Sequence, residues 1–197
     1  MSANIAVLVS GGGTNLQALL DAEKSGVLHS GRIVLIVSSR PDAYALTRAQ
    51  ANGVEALTVT RADGEAQLIK ALEARAIDLV VLAGYLTILS ADFVKRFEGR
   101  IVNVHPSLIP AFSGAGFYGL KPHQAALARG VKVTGATVHL VNEIPDGGQI
   151  LAQKAVEVRP DDTPETLQKR VMVEAEWVLL PRAVEDLCAR IAKEKRE

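Results

Sequence analysis

The chain has 197 residues, 48% of them hydrophobic and 22% charged, and its 22 Lys and Arg are balanced by 22 Asp and Glu. This composition fits an ordinary soluble globular protein, with enough chain to bury a sizeable core in a single domain spanning 1–197. A net charge of zero removes any global electrostatic case for nucleic acid or an anionic membrane, and no apolar stretch reaches the ~18 residues of a membrane span.

The start, Met1-Ser2-Ala3-Asn4, runs straight into a strand pattern with no basic leader or cleavage site. Ile5–Val9 and Ile33–Val37 are nearly unbroken β-branched and leucine runs, as expected of strands covered on both faces. Ile77–Leu82 repeats the signature, and Val54–Val59 is a weaker, amphipathic version. Helical stretches lie between them at Asn15–Lys24, Asp42–Asn52 and Gly64–Arg75, with Gly26 and Gly53 where C-terminal caps belong. Strands alternating with helices predict an α/β fold with a doubly wound, mostly parallel sheet.

Arg100-Ile101-Val102 leads into Asn103-Val104-His105-Pro106-Ser107-Leu108-Ile109-Pro110. After it the rhythm changes. Residues 111–119 form a glycine-rich loop, and Pro122–Arg129 reads as a short helix ended by Gly130. Lys132–Val141 and Ile150–Val158 are β runs joined by Asn142–Gly148, which predicts an antiparallel or edge pair. Thr163 is a helix cap with Pro164 at the first helical position and Glu165 in the first turn. That long final helix should run to the end with a break near Pro181, its basic stretch Arg190–Arg196 forming a solvated, fraying tip. Cys188, the only cysteine, rules out an intrachain disulfide and reads as a half-buried structural thiol. These features predict a cytoplasmic protein.

Three constellations carry chemistry. Asn103 and His105 should point the same way from a strand end. They offer one fixed hydrogen-bond donor and one group that gains or loses a proton near neutral pH. Such a pair suits a developing oxyanion; the plain alternative is a strand stopping at a Pro-rich turn with two satisfied side chains. Ser10-Gly11-Gly12-Gly13-Thr14-Asn15, between the first strand and first helix, can present outward N–H groups and a helix N-terminus to a phosphate. No Gly-Lys-Ser/Thr follows, and Leu16 stands where a dinucleotide fingerprint needs its third glycine. Arg40, after the second strand, could still meet a 2′-phosphate, which keeps an NADP-binding reductase or binding module as an alternative. Asp146, in Asp146-Gly147-Gly148, is turn chemistry on local grounds; were it to reach His105, its charge would orient the ring and raise the imidazole pKa.

Ser-Gly-Gly-Gly-Thr-Asn-Leu-Gln-Ala, Leu-Ala-Gly-Tyr-Leu-Thr-Ile-Leu-Ser, Asn-Val-His-Pro-Ser-Leu-Ile-Pro and the Asp-Gly-Gly loop occur in this order. In them, and in Thr163-Pro164-Glu165-Thr166-Leu167, nearly the whole chain resembles the folate-dependent formyltransferases. The glycine-rich first loop and the short length point to the purine-pathway branch of that family. The resemblance implies a Rossmann-like formyltransferase fold and formyl transfer from 10-formyltetrahydrofolate to the amine of glycinamide ribonucleotide. It implies no metal: His29, His123 and His139 look scattered, structural or superficial. His105 would be the general acid/base, Asn103 would bond the formyl oxygen, and Asp146 would raise the histidine pKa. Gly12, Gly13, Thr14 and Asn15 would bind the ribonucleotide phosphate and ribose, and Glu176 its glycinamide side or ribose hydroxyls. The folate would lie along Leu86, Thr87, Ile88 and Leu89, against Asn103 and the loop carrying Glu143 and Ile144. Arg61 would stand at its polar end, or serve only as a solvated helix-start cation. A monomer or homodimer is expected.

Some positions depart from the family pattern. Thr87 stands where an arginine is usual, Gln149 replaces a frequent proline, Asn142 a frequent aspartate, and Trp177 follows Glu176 in place of a histidine. The Arg170-to-Glu176 interval is one residue longer than usual, which makes Glu174 a competitor for the role of Glu176. A related transferase acting on an amino-sugar nucleotide remains a further alternative.

Overall fold

The computed structural model describes residues 2–195. Met1, Arg196 and Glu197, and with them the start of the leader reading and the end of the basic tip, lie outside the described residues. Seven strands form one sheet among those residues: β1 (Ala3–Val9), β2 (Gly31–Ser38), β3 (Ala56–Thr58), β4 (Leu79–Leu82), β5 (Ile101–His105), β6 (Val133–Leu140) and β7 (Ile150–Glu157). Their order is β3-β2-β1-β4-β5-β6-β7. The first five are parallel, while β6 runs antiparallel to β5 and to β7. The mostly parallel sheet and its antiparallel C-terminal pair agree with the sequence reading.

Alternation along β1 explains the unbroken apolar run. Ile5, Val7 and Val9 face one core with Leu16, Leu19 and Leu20 of α1 (Thr14–Ser25). Ala6 and Leu8 face the other, with Leu68 and Leu72 of α3 (Glu65–Glu73). Both faces are dry, so neither needs a polar residue. Between α1 and α3 comes α2 (Tyr44–Ala51), which packs Ala45 and Ala49 into the first core.

A helix the pattern did not predict, α4 (Ala91–Arg96), brings Phe93 and Val94 to the second core. Its signals were Ser90, whose hydroxyl accepts from the Phe93 N–H, and Asp92 in the first turn; six residues are too few for a periodic stripe. A third, smaller core lies under β6, formed with α5 (Lys121–Arg129) and α6 (Pro164–Val171).

The C-terminal helix is long, but its irregularity is displaced from the expected place. Helix α6 begins at a Thr163 cap, with Pro164 in its first turn and Thr166 completing a capping box. Met172–Glu176 forms a π turn, and α7 (Trp177–Glu194) then continues through Pro181 without interruption. A π turn accommodates one additional residue in a helix, which accounts for the longer Arg170-to-Glu176 interval. On either side of it α6 and α7 satisfy different cores, Leu167 and Val171 in one, Leu180, Val184 and Leu187 in another. Cys188 is fully buried rather than half-buried. Burial first, then the charges of Glu185 and Asp78, push its thiol up to about 12, so it is inert.

Candidate active site

The sheet order reverses direction at β1, whose two neighbours are β2 and β4. The crevice at the carboxyl ends of such strands is the expected ligand site. A cleft of about 290 Å³ opens there, lined by Asn15 on α1, Gly84–Leu86 after β4, Asn103 and His105 on β5, Asp146 and Glu176. Val102 and Val104 turn into the first core, so the alternate positions, Asn103 and His105, share the opposite face as expected.

His105 is nearly buried, at 4% exposure. Its Nδ1 lies 3.4 Å from Asp146 Oδ2 and its Nε2 lies 2.9 Å from the Phe112 carbonyl oxygen. Both ring nitrogens therefore face acceptors. The distant turn does reach the histidine. Gly114 N–H donates to Asp146 Oδ2 at 2.8 Å, so the glycine-rich 111–119 loop supplies two contacts to the pair. Burial would raise the Asp146 pKa. The hydrogen bond from His139, the Gly114 N–H and the charges of His105 and His139 outweigh it, and the carboxyl is held below its ordinary value.

Asp146 takes a left-handed φ of 55°, tolerable for aspartate. Gly148 must be glycine: a Cβ there would lie 1.8 Å from the Leu140 carbonyl oxygen.

His139, read as structural or superficial, is buried and does not line the cleft, but it touches two residues that do. It sits opposite Asn103 in the β5–β6 register. Its Nδ1 faces the Leu140 carbonyl at 2.8 Å, and its Nε2 meets Asn103 Nδ2 at 3.1 Å and Asp146 Oδ1 at 3.5 Å. A carbonyl only accepts, so Nδ1 carries hydrogen, and Nε2 stands within reach of both the carboxamide and the carboxylate. One ring thus links Asn103 to Asp146. Strand pairing made this contact, and pairing register was not readable from separate segments. His123 is also buried, and burial, with the His105 charge second, brings its pKa down to about 4. His29 is superficial, paired with Glu185 at 3.2 Å.

At the other end of the cleft, Gly13 caps α1 with φ of 69°. Asn15 Nδ2 donates to Glu176 Oε2 at 2.6 Å, while Asn15 Oδ1 is buried without a partner among the described residues. Glu176 is 5% exposed; burial raises its pKa to about 7, and the Asn15 bond only partly offsets this. Glu174 is exposed and does not line the cleft. Thr14 Oγ1 donates to Met172 Sδ, which also lines it; Gly12 is exposed at the turn.

The residues expected along a folate are divided. Leu86 lines the cleft with Asn103, whereas Arg61, Thr87, Ile88 and Leu89 line an adjoining cavity of about 410 Å³, with Tyr85 common to both. Glu143 and Ile144 are exposed beside Asp146 and line neither of these two cavities. Leu86, Ile88 and Ile144 are apolar side chains left 60%, 88% and 65% exposed. Arg40, on which an NADP reading relies, is paired with Asp42 at 2.7 Å. Among the described residues, no three His, Cys, Asp or Glu side chains are grouped to hold a metal ion.

A seven-stranded α/β sheet carries an Asn-His-Asp cluster at the carboxyl end of β5, and comparison with known proteins gives the class. Residues 3–184 match the family described as Formyl transferase, so the chain belongs to the formyl transferase family. It is 41% identical over 177 residues to the chloroplastic phosphoribosylglycinamide formyltransferase of Arabidopsis thaliana, covering 86% of this chain and 60% of that protein. It is 39% identical over 186 residues to the phosphoribosylglycinamide formyltransferase of Haemophilus influenzae, covering 91% and 84%. The crystal structure of glycinamide ribonucleotide transformylase 1 from Symbiobacterium toebii superposes with a TM-score of 0.86 at 42% identity, over 93% of this chain and 86% of that one. The chain spans about 60% of the length of the plant relatives it matches.

Proposed function

We propose that this chain, acting as one formyltransferase domain, transfers the formyl group of 10-formyltetrahydrofolate to the amine of glycinamide ribonucleotide. The observation carrying this reading is the meeting of Asn103, His105 and Asp146 at one end of a cleft whose other end holds the Gly13–Asn15 helix start and Glu176. The named relatives support the choice of acceptor.

The ribonucleotide phosphate is taken by the N–H groups of Gly12, Gly13 and Thr14, and its ribose hydroxyls by Asn15 and Glu176. The folate ring lies against Leu86, Asn103 and the Glu143–Ile144 loop, with Thr87, Ile88 and Leu89 alongside and Arg61 toward its glutamate end. The amine attacks the formyl carbon, a C–N bond forms, and the carbonyl electrons move onto oxygen. Asn103 Nδ2–H and a His105 N–H stabilise that oxyanion; one such donor is typically worth ~10²–10³ in rate. Collapse breaks the bond to the folate nitrogen, which takes a proton from His105, and the proton released by the attacking nitrogen returns to His105, directly or through water. Asp146, ionised beside the ring, favours the imidazolium through the step.

The absence of a helix long and apolar enough to cross a membrane among the described residues, and the single buried thiol, support a cytoplasmic setting. The test is an assay with both substrates. We expect formylated product from the parent and a loss of roughly 10²–10⁴ in kcat for His105→Ala, with unchanged circular dichroism. Parent-like turnover in that variant would refute the assignment.

A further inference from the structure

Behind the glycine turn stands a cation that the proposed reaction does not use. Arg48 of α2 donates from Nε to the Gly12 carbonyl at 2.8 Å and from Nη1 to Gln17 Oε1 at 3.0 Å. Its guanidinium lies 5.1 Å from the centre of the Tyr44 ring. The flanking carbonyls are held too: Gly11 O accepts from Ala45 N–H at 3.1 Å, and Gly13 O from Gln17 N–H at 2.9 Å. Three successive carbonyls are thus turned toward α1 and α2. In a planar trans peptide the next N–H points the opposite way, so the N–H groups of Gly12, Gly13 and Thr14 face outward together. Among the described residues, none of the three donates to a protein acceptor. Asn15 Oδ1, buried and unpartnered among the described residues, marks the same end of the cleft as a place for a polar ligand.

The Gly12–Gly13 peptide has little else to fix its direction. Gly11 and Gly12 stand in open space, with nothing within 4 Å of a Cβ built on either, and glycine admits more than one peptide orientation there. Gly13, by contrast, is pressed on α2, where a Cβ would come 2.7 Å from Ala45 Cβ. We propose that Arg48 is a positioning residue for the phosphate of the acceptor: it does not touch the anion, but pins the Gly12 carbonyl so that the Gly13 N–H is presented to it. An arginine suits this task, because its planar fork holds two acceptors at once.

The inference rests on the ribonucleotide reading of the cleft, and ribose 5-phosphate separates the two in calorimetric titrations of the parent, Arg48→Met and Arg48→Lys. The parent binds it; Arg48→Met weakens binding on the order of tenfold or more, as for loss of a charge-assisted bond. Arg48→Lys, which keeps the stem and charge but cannot bridge both acceptors, falls between them and guards against misfolding of the first variant. In turnover the same factor appears in the ribonucleotide KM, with kcat and the folate KM unchanged. It disappears when dephosphorylated glycinamide ribonucleoside is the acceptor. Parent-like affinity of both variants for ribose 5-phosphate overturns the positioning role and leaves the ribonucleotide reading standing. A loss equally large with the dephosphorylated acceptor overturns it as well, making Arg48 scaffold. If the parent itself does not bind ribose 5-phosphate, the phosphate site falls and the inference with it.

Discussion

His105 stands between a carboxylate 3.4 Å from Nδ1 and a main-chain carbonyl 2.9 Å from Nε2, neither of which can donate a hydrogen bond. Removing the charge of one neighbour while keeping its shape isolates its part. Asp146→Asn is expected to lower kcat by about 10²–10⁴, with the urea midpoint close to that of the parent, since the Gly114 N–H keeps an acceptor. Glu176 gives the opposite balance of stability and function. Its folded pKa is about 7 against an ordinary 4.5, so above pH 7 the folded protein carries a buried charge at a cost of about 3 kcal/mol. Glu176→Gln should therefore be more stable than the parent by up to about 3 kcal/mol at pH 8, a gain fading to nothing near pH 4.5. Its affinity for the ribonucleotide should fall. Denaturant titrations at the two pH values, paired with KM measurements, check both halves.

Among the elements, the 142–148 loop and the helix caps make different demands on glycine. A Cβ at Gly148 would collide with the Leu140 carbonyl and displace the turn that carries Asp146, whereas a Cβ at Gly26 meets open space and only the strain of φ 77°. Gly26→Ala should cost about 1–2 kcal/mol in stability and leave kcat alone; Gly148→Ala should lose most of its activity, as steady-state rates will show. The cap at Gly26, the Thr163 start and the apolar strands were legible because each depends on a few adjacent residues. Asn103 and His105 were legible for the same reason. His139 was not, because its place follows from a strand register that pairs residues 36 apart in sequence. The Phe112 carbonyl and Gly114 N–H were invisible for another reason: backbone groups contribute without regard to side-chain identity. The division of Leu86 from Thr87, Ile88 and Leu89 escaped notice because consecutive loop residues can line different hollows.

At the scale of the whole molecule, two buried groups pull stability in opposite directions with pH. His123 has a folded pKa of about 4 against an ordinary 6.5. The unfolded chain takes up that proton first, so the stability present above pH 6.5 is lost as pH falls toward 4. Glu176 holds a proton in the folded state that the unfolded chain has released, so its contribution declines as pH rises from 4.5 to 7. Each effect amounts to about 3 kcal/mol at most, and between pH 4.5 and 6.5 they nearly cancel. Of these two contributions, His123→Gln leaves only the glutamate, and its stability relative to the parent should rise on acidification; Glu176→Gln leaves only the histidine, and should fall. Urea midpoints across that range distinguish the signs.

The π turn at Met172–Glu176 divides one shaft into two parts. Its upper part is seated on the sheet through Leu180, Val184 and Leu187, and its lower part through Leu167 and Val171. Because the wider turn takes up one residue while its flanks keep their helical phase, excising the exposed Val173 would restore about 3.6 residues per turn and leave both seats in register. What would change is the wall of the cleft, where Met172 and Glu176 stand on the widened turn itself. The extra residue thus reshapes the helix only where it borders the cleft, and the scaffold on either side does not register it.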